Sequence, residues 1–262
     1  MEQRAEYTTI LVDVKDHVAT VTLNAPERKN PLGPAMVNEL LWAFDDAKES
    51  EDVRALVLTG AGKAFSAGAD LKQMGGKGNG PTLENKGDYA DLLLRFTTIG
   101  KPTVARVPGP AMGGGLGLVA SCDFAIACES AVLGTPEIKR GLFPMQIMAV
   151  LQRLVPRRQL MEMMLLGDKL SAQKALEFGL LSQVVADDSL DAAVAELAGQ
   201  LASRSPTAMR MGLAAFHHQA DQTLPEALPY LKAQLGAILG TEDAREGLMA
   251  FMQKREPKWT GK

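Results

Sequence analysis

The sequence predicts an α/β fold that gives way to helices toward the C terminus. Three observations carry this expectation. Short runs of β-branched residues alternate with helix-periodic stretches through the first two thirds of the chain. Glycine clusters follow two of those runs, at 60–68 and 109–117, where a strand would hand over to a loop or a helix. From Met145 onward the pattern is mostly helical, and 201–262 holds no convincing strand, so its apolar faces must be buried against the main body or another subunit.

Taken in order, residues 8–15 and 18–23 read as a hairpin joined at Asp16-His17. After a polar, Pro-flanked stretch at 24–31, Gly33-Pro34 opens a helix with Met36, Val37, Leu40, Leu41 and Phe44 on one face, ending near Glu49. The run ALVLT at 55–59 fits a strand buried on both faces. Residues 72–87 contain Gly75, Gly76, Gly78, Gly80, Gly87 and Pro81 without apolar periodicity, which marks a mobile segment and a candidate substrate lid. A helix at 89–98, a strand at 103–107, a helix through 118–120 and a strand at 124–128 continue the alternation. Further on, Pro156, Pro206 and Pro225 lie near helix starts, Ser171 and Ser205 suit caps, and Gly179 ends a helix. The run 181–185 is the last that resembles a strand.

The 262 residues carry 28 Lys+Arg against 31 Asp+Glu, and 46% are hydrophobic. A substantial core is available, and nothing suggests the basic face that nucleic acid requires. No run approaches the ~20 apolar residues of a membrane span, and the charged start Met1-Glu2-Gln3-Arg4 is unlike a signal peptide. A cytoplasmic protein is expected. Cys122 and Cys128, without neighbouring His, suggest two buried thiols rather than a zinc site or a disulfide.

Three glycine-bearing segments are candidates for chemistry. Ala64-Phe65-Ser66-Ala67-Gly68-Ala69-Asp70-Leu71 follows a buried strand, and its small residues let a ligand approach the main chain. Pro108-Gly109-Pro110-Ala111-Met112-Gly113-Gly114-Gly115-Leu116-Gly117 leads into a helix, whose first turn presents unpaired N–H groups. Two such groups converging on one oxygen would form an oxyanion hole. Alternatively, the glycines only permit tight turns and close packing. The third segment, Gly134-Thr135-Pro136-Glu137-Ile138-Lys139-Arg140-Gly141-Leu142-Phe143-Pro144, holds an acid in a mostly small and apolar setting. Taken alone, an acid such as Glu137 is more often a solvated loop residue or a partner of Lys139 or Arg140 than a functional group.

Together, AFSAGADL at 64–71, GPAMGGGLG at 109–117 with CDFAIA at 122–127, and PEIKRGLFP at 136–144 form a specific combination. With the stretch 24–32 and AFMQKR at 250–255, the chain resembles the enoyl-CoA hydratase/isomerase (crotonase) superfamily over essentially its whole length. The resemblance implies a spiral of repeated ββα units at 1–200 holding an acyl-CoA site, and a helical region at 201–262 that makes trimers, often paired into hexamers. It implies that the backbone N–H groups of Ala69 and Gly114 hold the thioester oxygen, with Glu137 as the acid. Positions contacting coenzyme A map onto Arg28, Lys29, Ala67, Asp70 and Leu71, with Phe251 and Lys254 supplied by a neighbouring subunit. Arg28 and Lys29 read equally as a solvated turn, and Phe251 as core. No metal is expected, and no cofactor apart from coenzyme A, which is part of the substrate.

The departure from the family pattern bears on the reaction. Hydratases of the family use two glutamates to hold and activate water. Glu137 matches the second, but the first position, three residues beyond Gly114, is Gly117. One carboxylate suffices to move a proton between carbons 2 and 4 of an enoyl thioester, as family isomerases do. Double-bond isomerisation is therefore expected. The alternative is hydration, by Glu137 with ordered water or with an acid recruited from 72–90, where Glu84, Asp88 and Asp91 are available. Gly within a helix costs roughly 0.5–1 kcal/mol relative to Ala. Gly117 is thus expected to give room to a bulky acyl group or to close packing, or to belong to an irregular helix start.

Two rival classes compete with this reading. Gly115-Leu116-Gly117-Leu118-Val119-Ala120 matches a dinucleotide fingerprint, but a hairpin and roughly 100 residues precede it, where the first βα unit of a long parallel sheet should stand. A non-catalytic acyl-CoA-binding protein would fit the loss of one acid, and Glu137 argues against it. His217 and His218 are assigned no role.

Overall fold

A computed structural model describes residues 1–74 and 83–262. The centre of the expected lid therefore lies outside the described residues.

In chain order the described strands are β1 (Ile10–Lys15), β2 (Val18–Leu23), β3 (Ala55–Gly60), β4 (Thr103–Val107), β5 (Ala111–Met112), β6 (Phe124–Cys128), β7 (Val132–Gly134), β8 (Leu170–Ser171) and β9 (Gln183–Val185). Six of them form one sheet in the order β1-β2-β3-β4-β6-β9, antiparallel at the β1/β2 hairpin and parallel from β2 onward. The hairpin turns on Asp16 (φ 50°) and His17 (φ 64°), with Lys15 opposite Val18. Two successive left-handed residues match the right-handed twist of the flanking strands, as in a type I′ turn. All six residues of β3 are buried, as an apolar central strand requires.

The helices are α1 (Pro34–Glu49), α2 (Leu71–Met74), α3 (Tyr89–Thr98), α4 (Gly114–Ser121), α5 (Met145–Leu151), α6 (Arg157–Leu166), α7 (Ala172–Glu177), α8 (Leu190–Ala202), α9 (Pro206–Gln219), α10 (Leu224–Leu239) and α11 (Glu242–Gln253). The apolar face of α1 buries Met36, Val37, Leu40, Leu41 and Phe44, and the helix packs on β1 and β2. Helix α8 packs across β2, β3, β4 and β6. Ser171 and Ser205 cap α7 and α9 by accepting the N–H groups of Lys174 and Ala208. Cys122 and Cys128 are buried and free. No described helix is long and apolar enough to cross a membrane.

A second, small sheet positions the site. Parallel β5 and β7 align Ala111 with Leu133 and Met112 with Gly134, and β8 joins β7 antiparallel. Because β5 and β7 run side by side, the chain leaves both at the same end, into α4 from one and into a 3-10 helix over Pro136–Arg140 from the other. The N–H of Gly113 donates to the carbonyl of Gly134 at 2.9 Å and ties the two exits together.

Candidate active site

The segment from Phe65 to Asp70 is stitched to its neighbours on both sides. Ser66 bridges to Ala111, and Ala69 bridges to Leu32. Phe65 and Ser66 donate their N–H groups to the carbonyl of Pro110, Ala67 to Lys29, Gly68 to the Ser66 hydroxyl and Asp70 to Leu32. Among the described residues, the Ala69 N–H alone in this segment finds no acceptor. Gly68, at φ +88°, turns the chain so that this donor is left over, and a Cβ there would stand 2.6 Å from the Met112 carbonyl and 3.4 Å from the Gly114 nitrogen. The Ala69 loop and the start of α4 therefore lie against each other.

Helix α4 begins without a side-chain cap, at Gly113 with φ 51° and ψ −122°. Only glycine adopts this backbone readily. The N–H groups of Gly114, Gly115 and Leu116 have no backbone acceptor among the described residues, as expected of a first helical turn. The unbonded donors of Ala69 and Gly114 thus lie on two segments that meet at Gly68, the second at the positive end of a helix dipole. Fixed donors of this kind suit an oxygen that gains negative charge during reaction.

Glu137 sits in the first turn of the 3-10 helix, which Thr135 anchors from its buried position by donating its hydroxyl to the Met163 carbonyl at 2.8 Å. A Cβ on Gly113 would come within 2.7 Å of Glu137 Oε1. Gly113 is therefore fixed twice, by its backbone angles and by the carboxyl packed on it. Glu137 Oε2 is buried and has no hydrogen-bond partner among the described residues. Burial raises the Glu137 pKa above the ordinary 4.5, against opposing pulls from its own backbone N–H and from Arg140. A half-buried acid with an idle oxygen and a raised pKa is suited to exchanging a proton.

Gly117 lies in regular helix, not in an irregular start. The expectation that it opens room for an acyl group is corrected by its surroundings. A Cβ at 117 would collide with the hydroxyl of Tyr89 and with Cγ2 of Ile147, so the glycine serves close packing. Of the acids available for recruitment, Asp88 and Asp91 are engaged in a reciprocal capping box at the start of α3, and Glu84 is exposed.

The remaining expected residues separate into two groups. Arg28 donates to the buried carboxylate of Asp70 at 2.6 Å, Lys29 lends its carbonyl to Ala67, and Leu71 is half exposed at the start of α2, so all lie on or beside the donor loop. Phe251 is 84% exposed, which excludes a core role, and Lys254 caps α11 in the left-handed region. No hydrogen bond or ion pair among the described residues joins these two to the site of the same chain.

Two positioning residues escape sequence reasoning. Asn30, fully buried at φ 53°, accepts from the Ala25 N–H and donates to the carbonyls of Ala61, Ala64 and Phe65. Tyr89 donates its hydroxyl to the Gly114 carbonyl at 2.5 Å. An Asn before Pro is a weak hint of the first; a tyrosine at a helix start gives none of the second.

The family model described as Enoyl-CoA hydratase/isomerase matches residues 13–262. A relative from Dictyostelium discoideum named "Probable enoyl-CoA hydratase, mitochondrial" is 36% identical over 98% of this chain and 92% of its own length. A "Putative enoyl-CoA hydratase" of Thermus thermophilus is also 36% identical, over 94% of this chain and 98% of its own. The solved enoyl-CoA hydratase of Bacillus anthracis superposes with a TM-score of 0.89 at 32% identity, covering 97% of this chain and all of that one. That of Mycobacterium smegmatis gives 0.88 at 34% identity, covering 97% and 99%. With its α/β core, its helical C-terminal region and the glycine-bearing exits of its small sheet, the chain belongs to the enoyl-CoA hydratase/isomerase family of enzymes, with the crotonase fold.

Proposed function

We propose that this enzyme isomerises the double bond of an enoyl-CoA thioester, with Glu137 as the only proton-carrying group. The observation that carries this reading is the pairing of one acid at Gly113 with a glycine at 117 whose surroundings are filled. The Glu137 carboxylate removes a proton from carbon 2 of a 3-enoyl thioester. The C–H electron pair forms the double bond between carbons 1 and 2 of the dienolate as the carbonyl π pair moves onto the thioester oxygen. That oxygen accepts from the N–H groups of Ala69 and Gly114, which stabilise the dienolate more than the substrate. The same proton then passes from Glu137 to carbon 4. As carbon 4 takes it, the oxygen returns its pair and the double bond settles between carbons 2 and 3, giving the 2-enoyl thioester with the carboxylate restored. Arg28, Lys29, Ala67 and Leu71 are read as flanking the coenzyme A portion, with Asp70 holding Arg28 in place.

The names of the relatives favour a second reading, addition of water to a 2-enoyl thioester. Incubation with 3-enoyl and 2-enoyl CoA thioesters separates the two. Isomerisation leaves the mass unchanged and creates the conjugated chromophore; hydration adds one water. Rapid hydration of the 2-enoyl substrate without conversion of the 3-enoyl one would overturn the isomerase reading. Full turnover by Glu137→Gln would remove that residue from either mechanism.

Assembly into trimers or hexamers belongs to the same reading. It is supported by the exposed apolar side chains of Phe216, Leu224, Leu235, Leu239 and Phe251 on α9 to α11. Light scattering of the purified chain tests it, and a monomer would count against Phe251 and Lys254 serving a neighbour's site. A cytoplasmic location is part of the reading as well, and fractionation of cells tests it.

A further inference from the structure

Gly113 caps α4 and Gly117 lies within it four residues on, its N–H donating to the Gly113 carbonyl at 3.0 Å. Glu137 fills the approach to the first, and Tyr89 together with Ile147 fills the approach to the second. Tyr89 is fixed from several directions. It is the first residue of α3, whose start is held by the Asp88 and Asp91 capping box. Its ring passes 3.5 Å from where a Cβ on Gly114 would lie, and its hydroxyl donates to the Gly114 carbonyl. Burial, aided by the negative charge of Glu137, raises the pKa of the phenol well above its ordinary 10.0. At neutral pH the group is a donor already committed to a carbonyl, and it cannot serve as a base.

We propose that Tyr89 decides between proton transfer and water addition in this site. By filling the volume beside Gly117 it leaves no place for a second acid or the water such an acid would hold. By clasping the Gly114 carbonyl it fixes the first residue of the donor helix. Tyr89 is thus a specificity-determining and positioning residue for the reaction, a role that rests on the single-acid reading of Glu137. Ile147, 3% exposed on α5, closes the same volume from the other element that meets Gly117.

The test compares wild type, Tyr89→Phe and Tyr89→Ala on 3-enoyl and 2-enoyl CoA thioesters. It reads kcat and KM separately, the ratio of hydrated to isomerised product by mass, and melting temperature as a control for folding. Tyr89→Phe keeps the ring and loses the clasp, so kcat should fall about tenfold, the effect of one hydrogen bond worth about 1.4 kcal/mol, with KM nearly unchanged. Tyr89→Ala opens the volume to water, so the hydrated fraction should rise at least about tenfold. A folded Tyr89→Ala with the wild-type product ratio overturns the proposal. So does Tyr89→Phe with wild-type kcat, which keeps the question decidable if the alanine variant fails to fold. If the wild type itself hydrates the 2-enoyl substrate and leaves the 3-enoyl one untouched, the single-acid reading falls first and the proposal with it. That outcome is distinct from an isomerising wild type whose variants leave the ratio unmoved.

Discussion

At the cap of α4 and again four residues on, the sequence has glycine, and the chain uses Gly113 and Gly117 in opposite ways. At Gly113 the missing side chain lets a carboxyl approach the donor turn; at Gly117 it lets a phenol and an isoleucine close that approach. The residue type is the same and the consequence is not, because what matters is which element the rest of the fold brings to each position. The 3-10 helix leaving β7 delivers Glu137 to one, and α3 and α5 deliver Tyr89 and Ile147 to the other. An absent side chain therefore says nothing about a site until its neighbours are known.

The comparison can be broken most severely at the acid. Glu137→Gln should lower isomerase kcat by about 10³-fold while KM changes little, since it removes the base and keeps the shape; steady-state kinetics checks it. Gly113→Ala comes next. A Cβ would strain a backbone at φ 51° and push on Glu137 Oε1, so we expect about a 10²-fold loss of kcat and a stability loss of about 1–3 kcal/mol, measured by urea unfolding. Gly117→Ala should damage stability by a similar amount, about 1–3 kcal/mol through overpacking against Tyr89 and Ile147, but activity less. A Gly117→Ala protein as inactive as Gly113→Ala would erase the distinction between the two positions.

Titration sharpens the contrast. The Glu137 pKa is raised in the folded chain, chiefly by burial, so the folded state holds this proton more tightly than the unfolded one. Ionisation of the buried carboxyl therefore opposes folding. Stability should fall as pH rises from the ordinary 4.5 through the shifted value, and Glu137→Gln should flatten that part of the profile in denaturant melts. The acid limb of kcat/KM should lie above 4.5 for the same reason, because the base must be ionised to accept a proton. The smallest effect on catalysis is expected at Arg28→Ala, where KM for the thioester should rise only a few-fold. The side chain of its partner Asp70 is 3% exposed, so the variant leaves a buried carboxylate without its cation, and a stability loss of about 1–3 kcal/mol should show as a lower melting temperature.

Much of this arrangement is legible in the residues themselves. The hairpin, α1, α3, β4 and β6 follow from apolar period and turn chemistry, and each carries its own signal within a dozen or so residues. Glu137, Ala69 and Gly114 are nominated by the family resemblance, which rests on motifs whose order along the chain is distinctive. What escapes is long-range. The two-residue strands β5 and β8 are defined by their partners rather than by propensity. Tyr89 meets Gly117 only because α3 packs on α4, and that meeting decides among the roles open to this glycine in favour of close packing over room for an acyl group. Periodicity reports which face of an element is apolar and leaves unstated which neighbour will fill a particular gap.

Asn30 gives the donor loop an unusual vulnerability. Its one carboxamide nitrogen serves three carbonyls of the turn and strand preceding Ala69, and its oxygen holds Ala25. Replacing that amide by a carboxylate, as in Asn30→Asp, would change the shape hardly at all, yet it would set a negative oxygen against three others in a buried place. The register of the donors thus depends on one neutral amide, and a change of charge without a change of size there would disturb the loop while most contacts elsewhere in the molecule stayed as they were.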